Sequence, residues 1–456
     1  MSRAQSMRTF YGLILTQVLS LIGSRISGLA ISIYIFQQTG NATPLTLVSF
    51  FFIVPQVVAA GLAGALADRW NRRYVLMLAD AGQAVGSLLL LLSFASGNFQ
   101  LWHLYAVTLL QSIFGVFQGP AFQASMTLMI PDEQRDRANA VQQLTGPISG
   151  IIAPALAGVI YAVVGVVGSI LIDLATFLVA VLVVYRAHIP QPKVTTEGEA
   201  LRGSMLADMF GGIRWLRARP TLFWMTIFVT FVNFLIGGVA ALETPYILSR
   251  INNDEAALGV LLTVLNLGAL AGGIIMGVWG GTRPRIHTIM GGLIVSSVFL
   301  ALTGMAQTAV VLGVTLFLFL FTMPMVNAAA MSMLQAKTPP DVQGRVFAAV
   351  SQMSMLMLPL AYLIIGPLAD RVFEPAVGQA GWSTVAPLVG SNPGAGMGLL
   401  MLAAGAINLA LSLVVYAIPS IRRLEADLPD HVAEVQPEAA PIRVGGAIPD
   451  ASALEP

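Results

Sequence analysis

The sequence predicts an all-α polytopic membrane protein of twelve transmembrane helices, arranged as two six-helix halves with both termini in the cytoplasm. Three observations predict it. The 456 residues are 56% hydrophobic and 10% charged, against roughly 25% charged in an ordinary soluble domain, so the chain lacks the polar surface that a water-soluble globule of this size needs. Apolar runs of about 20 residues, enough to cross the hydrocarbon core of a bilayer, recur along its whole length. The basic residues fall on alternate loops, the bias that fixes orientation in a membrane.

The first half holds apolar runs at 10–36, 45–66, 74–96, 101–128, 139–164 and 167–187. Met1 to Gly23, with Arg3 and Arg8 ahead of an apolar stretch, has the outline of a signal peptide. The stretch continues past Arg25 to Phe36 without a small-residue cleavage pattern, which predicts an uncleaved first span. Between His188 and Pro220 the apolar pattern stops and Lys193, Glu197, Glu199, Arg202, Asp208, Arg214, Arg217 and Arg219 appear, while Met205 to Leu216 keeps helical apolar spacing. This predicts a cytoplasmic linker over 189–220 with an interfacial helix. Runs at 221–248, 257–280, 287–306, 309–335, 344–370 and 395–418 make the second half. The units are therefore 1–188, 189–220, 221–418 and a tail, 419–456, whose proline, alanine and acidic residues predict disorder.

Of the 23 lysines and arginines, Arg250 and Arg371 fall on one side, Arg25 falls inside a span, and the other 20 share the side of the termini. One misplaced span would scramble that division, so it supports the span boundaries and puts the arginine-rich face in the cytoplasm of a bacterial inner membrane. An internal repeat supports two halves: Pro131–Arg137 (PDEQRDR) follows the fourth run, and Pro339–Arg345 (PPDVQGR) follows the tenth, 208 residues later. A weaker pair is Gly64–Arg73 (GALADRWNRR) and Gly277–Arg285 (GVWGGTRPR).

Several functions are excluded at this stage. With no cysteine, the chain builds no disulfide, zinc ribbon, iron–sulfur cluster or thiol nucleophile. Its two lysines, Lys193 and Lys337, follow proline and alanine, so no Gly-Lys-Ser/Thr phosphate loop is present and energy should come from an ion gradient. The four histidines, His103, His188, His287 and His431, lie at run ends or in the tail, which leaves an intramembrane enzyme without a catalytic cluster. No metal, cofactor or nucleic-acid partner is expected; the partners are the lipid bilayer and a small molecule.

Inside the apolar runs, Arg25 costs at least ~2.5 kcal/mol at mid-bilayer and should face water or a partner. Gln17, Ser20, Ser24 and Gly28, with Thr16, Ser27 and Ser32, share its half of the helix and form a polar stripe suited to a cavity wall. Asp173 in the sixth run is within reach of Arg25, which predicts a buried ion pair. Glu243, just before Pro245, is a candidate proton carrier or a wetted rim residue.

Gly64, Asp68, Arg69, Arg72 and Arg73 give G-x-x-x-D-R-x-x-R-R after the second run, which resembles the signature loop of the major facilitator superfamily. Asn71 stands where that family usually has glycine, and asparagine also tolerates a left-handed turn; Gly281 replaces the acid in the second copy. The resemblance implies that Asp68 helps lock a cytoplasmic gate, with Arg69, Arg72, Arg73 and, in the other repeat, Asp341 and Arg345. A solvated basic loop explains the arginines alone but not the spacing of glycine and acid. Gly146, Pro147, Gly150, Pro154 and Gly158 in the fifth run look like the Pro-Gly segment of exporters in this superfamily, with plain helix packing as the alternative. The loop ending in RANAV at Val141, ILIDLATFL at Ile170–Leu178 and GRVFAAV at Gly344–Val350 together resemble a branch that contains siderophore exporters, macrolide efflux permeases and lysophospholipid transporters. Gln111, Gln118, Asn233 and Asn327 fall on helices that line the central cavity in the resembled fold. The implied function is secondary active export of amphipathic small molecules (drug, siderophore or metabolite) by a monomer, through alternating access driven by protons. An acid common in the first span of drug antiporters is replaced here by Ser24 and Arg25. A lysophospholipid flippase, a metabolite uptake symporter and a transport-dead sensor or scaffold are the competing readings.

Overall fold

A computed structural model of the chain describes residues 3–130, 134–187, 205–339 and 342–428, and the regular structure among them is helical. The first half contains α1 (Arg3–Thr39), α2 (Thr43–Arg69), α3 (Arg72–Ala95), α4 (Leu101–Met129) and α5 (Arg135–Arg186). The 52 residues of α5 hold the fifth and sixth apolar runs, and the two arms meet at Gly165, whose φ of 65° suits a residue without a Cβ. After α6 (Met205–Arg217), the second half contains α7 (Pro220–Ala240), α8 (Glu243–Arg250), α9 (Glu255–Trp279), α10 (Ile286–Met305), α11 (Ala309–Lys337), α12 (Gln343–Met355), α13 (Leu358–Leu368) and α14 (Ala395–Ala417). Each of the twelve apolar runs is helical, and among the described residues nine helices are long and apolar enough to cross a membrane.

Two runs expected as single helices are broken. The seventh is divided into α7 and α8, and the eleventh into α12 and α13, followed by a π-helical turn at Ala369–Phe373. Pro245 and Pro359 stand in the first turns of α8 and α13, where the missing N–H removes a bond to the preceding turn and favours a new helix start. Asn71 does not adopt the left-handed turn anticipated from its place in the loop. Its backbone is extended (φ −61°, ψ 112°) and its side chain accepts a hydrogen bond from the Arg73 N–H at 3.1 Å, so it is kept as an N-cap.

Within the first half α1 lies along α5, and α4 is covered by α2 and α3; within the second, α11 is covered by α9 and α10, and α10 packs on α14. The halves meet where α5 faces α9 and where α2 faces α13. The largest apolar core joins both halves at the face opposite the arginine-rich loops, through Ile33 and Ile35 of α1, Leu242 and Tyr246 to Leu248 around α8, and Leu258 of α9, all at most 1% exposed.

Of the expected disordered tail, residues 419–428 are described and are largely helical, and the rest lies outside the described residues. Short helical turns at Pro419–Arg422 and Leu424–Asp427 bury Ile421 and Leu424 in the second half. Glu425 accepts from the Ile286 N–H at 3.2 Å and pairs with Arg285 at 3.4 Å, so the carboxylate missing at Gly281 is supplied near the start of α10 from the other end of the chain. Helix α6 buries Leu216, and Gly212 lies against Arg345 and Ala349 of α12.

Candidate functional site

A cavity of about 520 Å³ opens within the first half. Helix α1 gives it Gln17, Ser20, Ser24 and Gly28, residues three or four apart that share one helical face. Gln83 and Ser87 enter from α3, Gln111 and Gln118 from α4, and Asp173 from the second arm of α5.

These side chains form a connected polar system. Asp173 accepts from the Ser24 hydroxyl at 2.8 Å and from the Ser87 hydroxyl at 2.6 Å, one on each carboxylate oxygen. The Gln111 amide donates to Ser87 Oγ at 3.1 Å and to the Gln83 carbonyl at 3.0 Å. The Gln83 amide donates to Gln118 Oε1 at 3.2 Å, and the Gln118 amide reaches both Gln17 Oε1 at 3.2 Å and Asp80 at 2.6 Å. Paired donors and acceptors make a polar cluster tolerable away from water, and in this one Gln17 Nε2 and Asp80 Oδ2 are the buried exceptions.

The expected Arg25–Asp173 ion pair does not form; among the described residues an ion pair joins Arg285 to Glu425, and none joins Arg25 to Asp173. The reason is angular. Arg25 follows Ser24 by about 100° around the helix, so Ser24 meets Asp173 while Arg25 turns to the α5–α9 contact. There Arg25 Nη1 and Asn266 Oδ1 stand 3.1 and 2.6 Å from where a Cβ on Gly150 would be.

A second cavity, about 420 Å³, lies in the other half and is lined by Met225, Met323, Met331 and Met333 together with Asn233 and Asn327. The Asn233 amide donates to the Ser354 carbonyl at 3.1 Å. Where the first cavity receives Gln83 and Ser87 from α3, this one receives Ile289 and Leu293 from α10. The Gln352 amide donates to the Val57 carbonyl, between Gln56 of the first cavity and Ser351 of the second, so the two cavities flank one α2–α12 contact.

Polar contacts between the halves run from this depth to the face opposite the arginine-rich loops. Asp370, in the π-helical turn, accepts from the backbone N–H groups of Ala42 and Thr43 at 2.8 and 2.7 Å and from the Thr43 hydroxyl, capping α2 across the interface. Gln37 of α1 donates to Glu255 of α9 and accepts from Tyr161 at 2.9 Å. The Thr263 hydroxyl reaches the Ile151 carbonyl at 3.3 Å. Of the small residues of α5, Gly158 lies against Glu255 and Ala256, Pro154 against Gly259, and Gly150 against Asn266. A Cβ on Gly146 would meet nothing within 4 Å, and Pro147 is exposed.

The residues expected to form a gate are described only in part. The side chains of Gly64, Asp68 and Arg69, and residue Asp341, lie outside the described residues. Arg72 is buried at the start of α3, Arg73 donates to the Tyr185 carbonyl and lies over that ring at 5.5 Å, and Arg345 sits on α12 beside α6. Glu243 opens α8 and lines neither cavity.

Sequence reasoning missed Asp80 and Asp370. Asp80 had a readable signal: Asp80, Gln83 and Ser87 are spaced by three and seven residues, one face of a helix. Asp370 had none, because its partners are 327 and 328 residues away.

The sequence profile of the Major Facilitator Superfamily matches residues 13–362. Macrolide efflux protein A of Streptococcus pyogenes is 26% identical over 366 residues, which cover 80% of this chain and 90% of that protein. The enterobactin exporter EntS of Shigella flexneri is 23% identical over 339 residues, covering 74% of this chain and 79% of that one. Among solved structures, a bacterial homologue of the human lysosomal transporter Spinster, inward-facing and unoccupied, superposes with a TM-score of 0.71 at 15% identity, over 95% of this chain and 100% of that chain.

Proposed function

The chain belongs to the Major Facilitator Superfamily, and on that premise we propose that it is a secondary active exporter of amphipathic small molecules, working by alternating access and driven by a proton gradient. The observation that carries this reading is the difference between the two cavities. One sets amides, hydroxyls and Asp173 among apolar side chains, the other is lined mainly by methionines and aliphatic side chains, and they flank a single seam. A ligand with a polar and an apolar end satisfies both, and orientation comes from a few polar groups in a mostly apolar wall. Amides offer donors and acceptors without a fixed charge, and methionine adapts to irregular apolar shapes, a combination that accepts a range of ligands.

With the arginine-rich face read as cytoplasmic from its charge bias, the inter-half contacts described above lie toward the outer side. The resemblance to proteins named for macrolide efflux and enterobactin export supports the outward direction. Expression in a pump-deficient bacterium tests this: accumulation of dyes, macrolides and siderophores is measured with and without a protonophore. We expect lower accumulation of amphipathic probes, abolished by the protonophore. Raised accumulation would reverse the direction, and protonophore-insensitive efflux would remove the proton.

A further inference from the structure

Asp80 lies on α3, eight residues from its start, or roughly 12 Å into the helix at about 1.5 Å per residue, and is fully buried. Its Oδ1 accepts from the Gln118 amide at 2.6 Å, while its Oδ2 is buried without a hydrogen-bond partner. Gln17 faces the same carboxyl from α1. Gln17 Oε1 is engaged by Gln118 at 3.2 Å, and its buried Nε2, with no acceptor at full hydrogen-bond distance, turns toward this carboxyl. Gln17, Gln83 and Gln118 line the cavity and Asp80 does not, so the three amides screen the carboxyl from it.

Among the described residues no cation is bonded to this carboxyl. Among the described side chains, the titratable groups on the helices around it are Arg72, Arg73 and Tyr74 at the start of α3, Tyr161, Asp173, Tyr185 and Arg186 on α5, His103 and Tyr105 on α4, and Tyr11, Arg25 and Tyr34 on α1. Arg73 is engaged by Tyr185, His103 by Ser93 at 2.8 Å, and Arg25 turns to Gly150. Asp173 differs from Asp80, since both of its oxygens receive hydroxyl donors. A buried carboxylate without a counter-charge is costly; a proton on Oδ2 removes the charge and turns an idle acceptor into a donor.

We propose that Asp80 is the proton-carrying group of the transport cycle, and that Gln118, bonded at once to this carboxyl and to the cavity wall, links its protonation to occupancy of the cavity. This rests on the gradient-driven reading above. When a ligand's polar group takes the amides of Gln118 or Gln17, the carboxyl loses its donor; when Asp80 is ionised, both amides are drawn to it. Ligand and ionised carboxylate therefore compete for the same two side chains, so the occupancy of the cavity and the protonation of Asp80 are reciprocally linked.

The test reads the carboxyl directly. Infrared difference spectra of the purified full chain are recorded across pH for the parent protein, Asp80→Asn, Asp173→Asn and Gln118→Leu, each shown to be monodisperse. We expect a protonated-carboxyl C=O band that follows pH, is lost in Asp80→Asn, persists in Asp173→Asn and shifts in frequency in Gln118→Leu, where a hydrogen bond to it is gone. If Asp80→Asn does not fold, the Gln118→Leu shift carries the test, since Asp80 remains in place. A band that survives Asp80→Asn, one unmoved by Gln118→Leu, or no pH-dependent band in the parent overturns the proposal. In proteoliposomes with an imposed pH gradient, Asp80→Asn should lose gradient-driven accumulation of a probe while retaining its downhill movement. If the parent moves no probe with the gradient yet the band assignment holds, the exporter reading fails and the site survives.

Discussion

Ser24 and Arg25 are neighbours on α1, yet the turn of about 100° between them separates two environments, one at Asp173 and one at the α5–α9 contact. Asp173 is satisfied by Ser24 and Ser87, so it does not depend on the arginine. Asp173→Asn should therefore express in the membrane at the parent level; a collapse in expression would mean that the two residues rely on one another. Removing a donor is different, because it leaves a buried carboxylate oxygen unmet. Ser87→Ala should lower the stability of the purified protein by about 1–3 kcal/mol, read in a denaturation series, and an unchanged midpoint would place water or another donor at that oxygen. The polar stripe on α1 was legible because it is local: Gln17, Ser20, Ser24 and Gly28 repeat at helical spacing. That Gln118 joins Gln17 to Asp80 was not legible, since it requires three helices to be placed side by side.

At the scale of the element, helix ends decide how the halves close. The first N–H groups of α2 have no partner inside their own helix, and Asp370 supplies one from the opposite half. Losing a capping carboxylate costs about 1 kcal/mol, so Asp370→Ala should shift a balanced equilibrium toward the outward-open form by roughly fivefold. Because the chain has no cysteine, a Thr145→Cys reporter in the cavity wall reads this without background: an impermeant maleimide added from outside should label it several times faster in the Asp370→Ala protein. An equal rate would make Asp370 an ordinary cap with no part in closure. Gly158 acts through backbone approach, as a Cβ there would stand 3.1 Å from Ala256 Cα and 2.9 Å from the Glu255 carbonyl carbon. Gly158→Val should open the same side, by overpacking on the order of 1–3 kcal/mol, and the same reporter measures it.

Across the whole molecule, two halves built alike carry different chemistry. Their loops repeat at an offset of 208 residues, but the first half encloses amides, hydroxyls and two aspartates, and the second encloses methionines. Met323→Gln, placed in the apolar cavity, should move the range of transported compounds toward more polar members, measured as a change in the order of efflux rates over a panel; an unchanged order would mean that ligands do not enter this half. The second half also depends on the far end of the chain, where Glu425 caps α10 and Lys337 donates to the Glu425 carbonyl at 2.8 Å.

The sequence by itself determined the helices, the two halves, the one-sided arginines and the family, because hydrophobic length, charge bias and a loop motif are properties of short stretches read in order. It missed the breaks inside the seventh and eleventh runs and the helical turns within 419–428, where proline geometry and burial against distant residues take over. Only the tertiary structure decided which polar groups meet: that Asp173 faces two serines instead of Arg25, that Asp80 shares an amide with the cavity wall, and that Asp370 caps a helix in the other half. Each of these joins residues scores to hundreds of positions apart, and a helix's own period says which face a side chain takes but not which helix lies opposite.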